Sequence, residues 1–305
     1  MQASSGLATS TMSNLGLYVV AVLIWGSTWL VIKFQLGIVP PMVSVAWRFL
    51  LASLMLLAYS ALLRRPLAFS ARDHLWIALQ GVLLFGLNYA GIYLSEQYLT
   101  SGLVAVVFSI VVFMNAVGMR VFFSQPIRPT TIFAAVIGLG GVTLVFWPEM
   151  LRFSNSSDQL RGLALAVAAT AMASLGSMVA TSIHRRALPV MQINAWSMLY
   201  GAIFTAIIAF ATGQRFAFDV SWSYIASLIY LSLFGSALAF GAYLTLMRRI
   251  GADRASYTAV AIPVVALLLS SAFEHLRWQL ATFLGVALCL SGNVLMLRRR
   301  PAQTA

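Results

Sequence analysis

Charge is what this chain lacks. Of its 305 residues only 9% are charged, and just seven are acidic. A soluble domain carries about 25% charged residues, so this sequence cannot cover itself with an ordinary water-facing surface. Eight stretches hold no Asp, Glu, Lys or Arg at all: 74–95, 97–119, 129–148, 162–183, 187–214, 220–247, 255–273 and 278–297. Cysteine is nearly missing too. The lone Cys289 lies inside one of these stretches, which excludes an intrachain disulfide framework. The three histidines, His74, His184 and His275, sit far apart with no ligand partner at i+4. No phosphate-cradling glycine loop or nucleophile elbow occurs either. The expectation is therefore no metal, no cofactor and no enzyme, because an intramembrane enzyme would need a buried acid–base or metal constellation. The first apolar stretch has no basic residue before it and does not read as a secretory leader; residues 1–13 are expected to form a disordered tail.

What is abundant is apolar length. The chain is 61% hydrophobic, and each uncharged stretch matches the roughly 17–25 residues a helix needs to cross a bilayer core. Two more candidate spans lie near 14–33 and 43–63. Helix is the only suitable choice, since backbone groups in lipid must satisfy one another; a barrel would show alternating runs of about 10 residues. The predicted fold is all-α and integral to the membrane, with ten transmembrane helices. The net charge of +12 points to arginines flanking spans rather than to nucleic acid. With a cytoplasmic N-terminus, thirteen of the nineteen basic residues fall on the cytoplasmic side, as the positive-inside rule expects. Both termini are then cytoplasmic.

An internal repeat accompanies the spans. Gly26-Ser27 recurs as Gly176-Ser177, Ala46-Trp47 as Ala195-Trp196, and Leu84-Phe85-Gly86 as Leu233-Phe234-Gly235. Gly91-x-Tyr93-Leu94 recurs as Gly241-x-Tyr243-Leu244, and Gly141 has Gly292. One offset near 150 residues relates them all. Five spans per copy is an odd number, so the second copy enters the membrane in the opposite sense. The expected organisation is one five-helix repeat over 14–150 and an inverted one over 160–300. Inverted repeats are a recurring plan of secondary transporters, with the substrate near the midplane.

The opening order Leu23-Ile24-Trp25-Gly26-Ser27-Thr28-Trp29, Lys33, Pro40-Pro41, Trp47-Arg48-Phe49 resembles the EamA family of the drug/metabolite transporter superfamily. So does the stretch from Asn88 to Phe113, with Tyr89, Glu96, Ser101-Gly102-Leu103 and Val106-Val107-Phe108-Ser109. That resemblance implies efflux or exchange of small metabolites, such as amino acid export, across a bacterial inner membrane. The sequence departs from it at Val112, where the fourth span often has proline, and at Ser124-Gln125, where a Gly-Glu pair is common. A lipid flippase or passive channel is the alternative, although a channel would need a more polar lining than these spans offer.

Candidate binding residues follow from helical faces. Phe85, Asn88, Tyr89, Ile92 and Glu96 share one face of the third span, with Tyr93 at its margin. The reading is a substrate cavity with a few polar groups, or else a helix contact in which Asn88 bonds a neighbouring span. The eighth span presents Ser236, Phe240 and Tyr243; the first presents Trp25, Thr28, Trp29 and Ile32. Ser109, Phe113 and Tyr257 complete the substrate-binding candidates. Trp29 also fits an interfacial anchor. Lys33 and Arg48 form either an electropositive vestibule for a carboxylate or a pair of side chains snorkelling to the interface. No span has a central acid. That points to a facilitator or exchanger, or to proton coupling through Glu96 alone, whose plainer reading is an interfacial carboxylate accepting a hydrogen bond. Pro263, the proline set deep in a span, is a hinge or a static bend. The glycines Gly138, Gly140, Gly141 and Gly292 should pack the fifth span on the tenth; the protein is expected as a monomer or homodimer.

Overall fold

The computed structural model describes residues 12–127, 129–151, 157–186, 188–250, 258–275 and 278–297. Among these the secondary structure is helical, without strands. The helices are α1 (Asn14–Lys33), α2 (Pro41–Leu62), α3 (Ala71–Ser95), α4 (Ser101–Phe123) and α5 (Pro129–Leu151), then α6 (Ser157–His184), α7 (Val190–Ala211), α8 (222–250), α9 (Thr258–Phe273) and α10 (Leu280–Leu297). Seven are long and apolar enough to cross a membrane, and Pro129–Val145, Thr258–Phe273 and Leu280–Leu295 are shorter apolar helices.

Helix starts follow local chemistry. Ser13, Ser70 and Ser221 each accept a backbone N–H of the first turn through the side chain, which satisfies an otherwise orphaned donor. Pro41 opens α2 where its missing N–H costs nothing. Two helices contain a wide turn. In α3 it covers Gly81–Leu87, and the Asn88 N–H reaches back five residues to the Leu83 carbonyl. In α8 it covers Tyr230–Leu238, and the Ala239 N–H reaches the Phe234 carbonyl. Such turns free a carbonyl and often occur at functional sites. Helix α4 is interrupted between Ser101–Phe108 and Val111–Phe123, just before Val112. Ser109 marks the break: its hydroxyl donates to the Val106 carbonyl at 2.6 Å.

Packing pairs α2 with α7 and α5 with α10, while α3 lies on α7 and α6 and α1 lies on α9 and α8. The glycines set the closest approaches. A methyl group at Gly141 would lie 2.5 Å from the Cys289 nitrogen, and one at Gly292 would lie 2.7 Å from the Ala134 carbonyl oxygen. These contacts seat α5 directly on α10, as expected for Gly141 and Gly292; Gly140, whose Cβ would meet nothing within 4 Å, has no part in the contact. At Gly81 an added Cβ would sit 2.3 Å from the Ser197 oxygen, so the wide turn of α3 presses its backbone against α7.

Candidate functional site

The packing leaves a cavity of about 270 Å³ bounded by α1, α3, α4, α8 and α9. Its wall is largely apolar. From α1 it takes Trp25, Thr28, Trp29 and Ile32; from α3, Leu84, Phe85, Asn88, Tyr89 and Ile92. From α4 come Ala105, Phe108, Ser109, Val111 and Val112, and from α8 and α9 Phe240, Ala259, Ile262 and Pro263. A small apolar enclosure with a few polar groups is the usual form of a small-molecule site.

Local geometry fixes these side chains. The Trp25 indole donates to the Gly235 carbonyl at 3.1 Å, within the wide turn of α8, and stacks edge-on against Phe240 with centroids 5.1 Å apart. Trp29 meets Phe108 at 5.3 Å, so it belongs to the cavity wall and not to an interfacial belt. Asn88 donates to the Leu84 carbonyl of its own helix at 3.1 Å and bonds no neighbouring span; its side-chain oxygen is buried with no partner among the described residues. Pro263 has no N–H, so the Ala259 carbonyl loses its i+4 donor, and both residues border the cavity.

Of the residues singled out from the sequence, Trp25, Phe85, Asn88, Tyr89, Ser109, Phe240 and Pro263 line this cavity. Others lie elsewhere. Phe113 is buried in the core, its ring under Gly138. Ser236 is buried and donates to the Leu231 carbonyl at 3.1 Å. Tyr243 packs behind Trp25 at 5.3 Å. Tyr257 falls outside the described residues, as do most of the expected N-terminal tail and the far C-terminus. Leu84, Ala105, Phe108, Val111, Val112, Ala259 and Ile262 also line the cavity and carry no polar signal in the sequence; the Phe108–Val112 stretch of the wall spans the break in α4.

Behind the Ile32, Tyr89 and Ile92 part of the wall lies a group of polar side chains. Arg48 is 1% exposed, which rules out the snorkelling alternative: the helix packing holds its head inside the bundle. Its guanidinium lies 5.1 Å from the Phe49 ring centre and 4.6 Å from that of Tyr89. It donates to the Tyr93 hydroxyl at 3.4 Å, and Tyr93 donates to Gln35 at 2.6 Å. Next to it, Lys33 pairs with Glu274 at 3.5 Å, joining α1 to the end of α9. Glu96 is fully buried, and neither carboxylate oxygen has a hydrogen-bond partner among the described residues. The expectation of an interfacial carboxylate accepting a hydrogen bond is therefore corrected. At the start of α3, far along the helix from Glu96, Asp73 pairs with Arg186 at 2.8 Å.

Comparison with known proteins decides the family. The EamA-like transporter family matches residues 12–147 and again residues 160–298. The chain belongs to the EamA-like transporter family. The uncharacterized inner membrane transporter YedA of Escherichia coli (strain K12) is 31% identical over 251 residues, covering 82% of this chain and 79% of that protein. The uncharacterized transporter YoaV of Bacillus subtilis (strain 168) is 25% identical over 272 residues, 88% of this chain and 91% of the relative. A solved crystal structure superposes with a TM-score of 0.66 at 17% identity, covering 92% of this chain and 94% of the other; at that identity it speaks for the fold alone. This EamA-like chain is a multi-pass membrane protein of a transporter family.

Proposed function

We propose that this protein is a secondary transporter that exports or exchanges small metabolites, amino acids or related compounds foremost, across a bacterial inner membrane by alternating access. The observation that carries the reading is the cavity. Its wall is shared by α1, α3 and α4 from one half of the sequence and by α8 and α9 from the other, so movement of one half against the other would open or close it. The helix pairings support a pseudo-twofold plan of ten spans. Under the offset near 150, α2 and α7 are counterparts of each other, as are α5 and α10, and each pair is in contact. The α3–α7 contact likewise has its counterpart in α8–α2. Both wide turns fall at equivalent positions, Gly81 and Tyr230 being their first residues.

In this reading the structure is a state closed at the Lys33–Glu274 end. The cavity reaches from Ile32 and Ile92 beneath that end to Ala259, near the start of α9. The arginine-rich ends of the helices are cytoplasmic, together with both termini, and the closed end faces out. Asn88, Ser109 and the Ala259 carbonyl orient a polar group of the substrate while the aromatic rings enclose its apolar part.

The test is counterflow into proteoliposomes, screened over amino acids and related metabolites. Trans-stimulated uptake of a member of that panel is expected without an imposed proton gradient. Absence of exchange across the panel, with scrambling of labelled phospholipid in its place, would overturn the reading in favour of a lipid flippase.

A further inference from the structure

Four charged side chains meet where α1 and α3 end, α4 begins and α9 ends. Lys33 donates to the Glu96 and Leu99 carbonyls, the latter at 2.7 Å, besides pairing with Glu274. Glu274 in turn accepts the Ser101 backbone N–H at 3.0 and 3.1 Å and the Ser101 hydroxyl. Glu96 stands apart. It is fully buried and its carboxyl group is without a hydrogen-bond donor among the described residues. The charged and titratable groups facing it are Lys33 from α1, Arg48 from α2, Glu274 from the end of α9 and Tyr93 one turn earlier on its own helix.

A buried carboxylate without a donor is costly, and such a group takes up a proton instead. Burial pushes the Glu96 carboxyl, just past the end of the α3 span, well above the usual range. Glu274 pushes in the same direction, and Lys33 and Arg48 oppose it. If all four groups were ionised the cluster would be neutral, so there is room for one exchange: a proton on Glu96 against a direct carboxylate partner for a cation.

We propose that Glu96 is a proton-binding site tied to the Lys33–Glu274 seal, holding its proton while this end is closed and releasing it when the end opens. The inference rests on the alternating-access reading and supplies its coupled ion. Opening draws Glu274 away from Lys33 and Ser101. Lys33 is left without its acid and water enters. The Glu96 O–H bond then breaks, the proton passes to water, and the carboxylate takes Glu274's place beside Lys33. Gln35 Nε2, Arg48 Nε and Thr100 Oγ1 at the same end are buried and without partners among the described residues, and hydration on opening satisfies them as well. Ile32 precedes Lys33 directly, and Ile92 lies one turn before Glu96; both line the cavity, so a substrate there sits under the proton site.

Two measurements on the full chain in lipid test this without any substrate. The first is infrared difference spectroscopy. A protonated-carboxyl C=O stretch is expected at neutral pH, lost on alkalinisation and absent from Glu96→Gln; Glu96→Asp, which keeps the carboxyl but shifts the band, provides an independent assignment. The second uses Leu99→Cys, a buried position beside Lys33, in a Cys289→Ala background. Its labelling by a membrane-impermeant maleimide, divided at each pH by that of free glutathione because only the thiolate reacts, should rise several-fold from mildly acidic to alkaline buffer, and should lose that remaining dependence when Glu96→Gln is added. A wild-type spectrum with no such band, a band untouched by both Glu96 substitutions, or normalised labelling equally fast at each pH would overturn the proposal. Because neither readout involves transport, failure here leaves the counterflow result standing, and a failed counterflow screen leaves these readouts intact.

Discussion

The guanidinium of Arg48 lies 4.6 Å from the centre of the Tyr89 ring, and Tyr89 is the wall of the cavity on that side. A cation inside the bundle is thereby separated from the substrate space by one aromatic ring. The pair is worth roughly 0.5–2 kcal/mol as a cation–π contact, far less than the several kcal/mol it costs to bury the charge. Stability alone does not account for Arg48.

Arg48→Met keeps the length of the side chain and removes the charge. A buried charge replaced by an apolar group of similar volume is often neutral or stabilising, so the melting temperature in detergent should hold or rise. Counterflow should nonetheless fall by about tenfold or more, equivalent to ~1.4 kcal/mol. Unchanged exchange together with unchanged melting would mean that the arginine has no part in transport.

Asn88→Ala removes a buried amide from the cavity wall, and Tyr89→Ala removes the ring over Arg48. Each should weaken substrate half-saturation in counterflow by about 5–10-fold, the loss of one hydrogen bond or ring contact at ~1–1.5 kcal/mol. Tyr89→Phe keeps the ring and should stay within about twofold of the parent. Equal affinity in all three proteins would move the substrate away from α3.

Lys33→Met and Glu274→Gln should each raise maleimide labelling at Leu99→Cys. The double variant should add little to either single one, since both remove the same contact and residues sharing an interaction are non-additive. Fully additive effects would show that the two residues do not act as one seal.

Gly141→Ala and Gly292→Ala place a methyl group 2.5 and 2.7 Å from backbone atoms of the facing helix. Neither backbone can yield cheaply, so each should lower stability by about 1–3 kcal/mol, read as a reduced melting temperature. Gly140→Ala, whose Cβ meets nothing within 4 Å, is the control and should melt like the parent.

Glu96 also makes stability depend on pH. Its folded-state affinity for the proton is raised above that of the unfolded chain, so the folded state holds more protons in between and loses stability as pH rises through that interval. Melting curves of the parent should therefore fall from mildly acidic to alkaline buffer, and Glu96→Gln should flatten that slope.

The sequence was legible where the pattern was local. Uncharged runs mark the helices because lipid admits no charge without cost, and Gly141 with Gly292 marks the α5–α10 contact because only small residues permit it. The α3 face of Phe85, Asn88, Tyr89 and Ile92 was legible through its spacing. Arg48 was not: a position directly after Trp47 says nothing of whether the head turns into the bundle or out to the interface, and its partners Tyr89 and Tyr93 lie on another helix. The break at Ser109 was equally hidden, for neither proline nor glycine marks it. Cavity residues such as Leu84, Val111 and Ile262 look like any other lipid-facing or core aliphatic.

The wide turn at Gly81–Leu87 has a bearing on how this protein can change. Each helical residue advances the face by about 100°, so the extra residue held in that turn sets the rotational phase of everything after it in α3. Straightening that turn with the sequence unchanged would rotate Asn88, Tyr89, Ile92 and Glu96 together by about 100° toward different neighbours, whereas deleting one residue between Gly81 and Leu87 would remove the turn and leave their phase as it is. Cavity and proton site thus share a single phase, and any motion that forms or straightens that turn moves both at once.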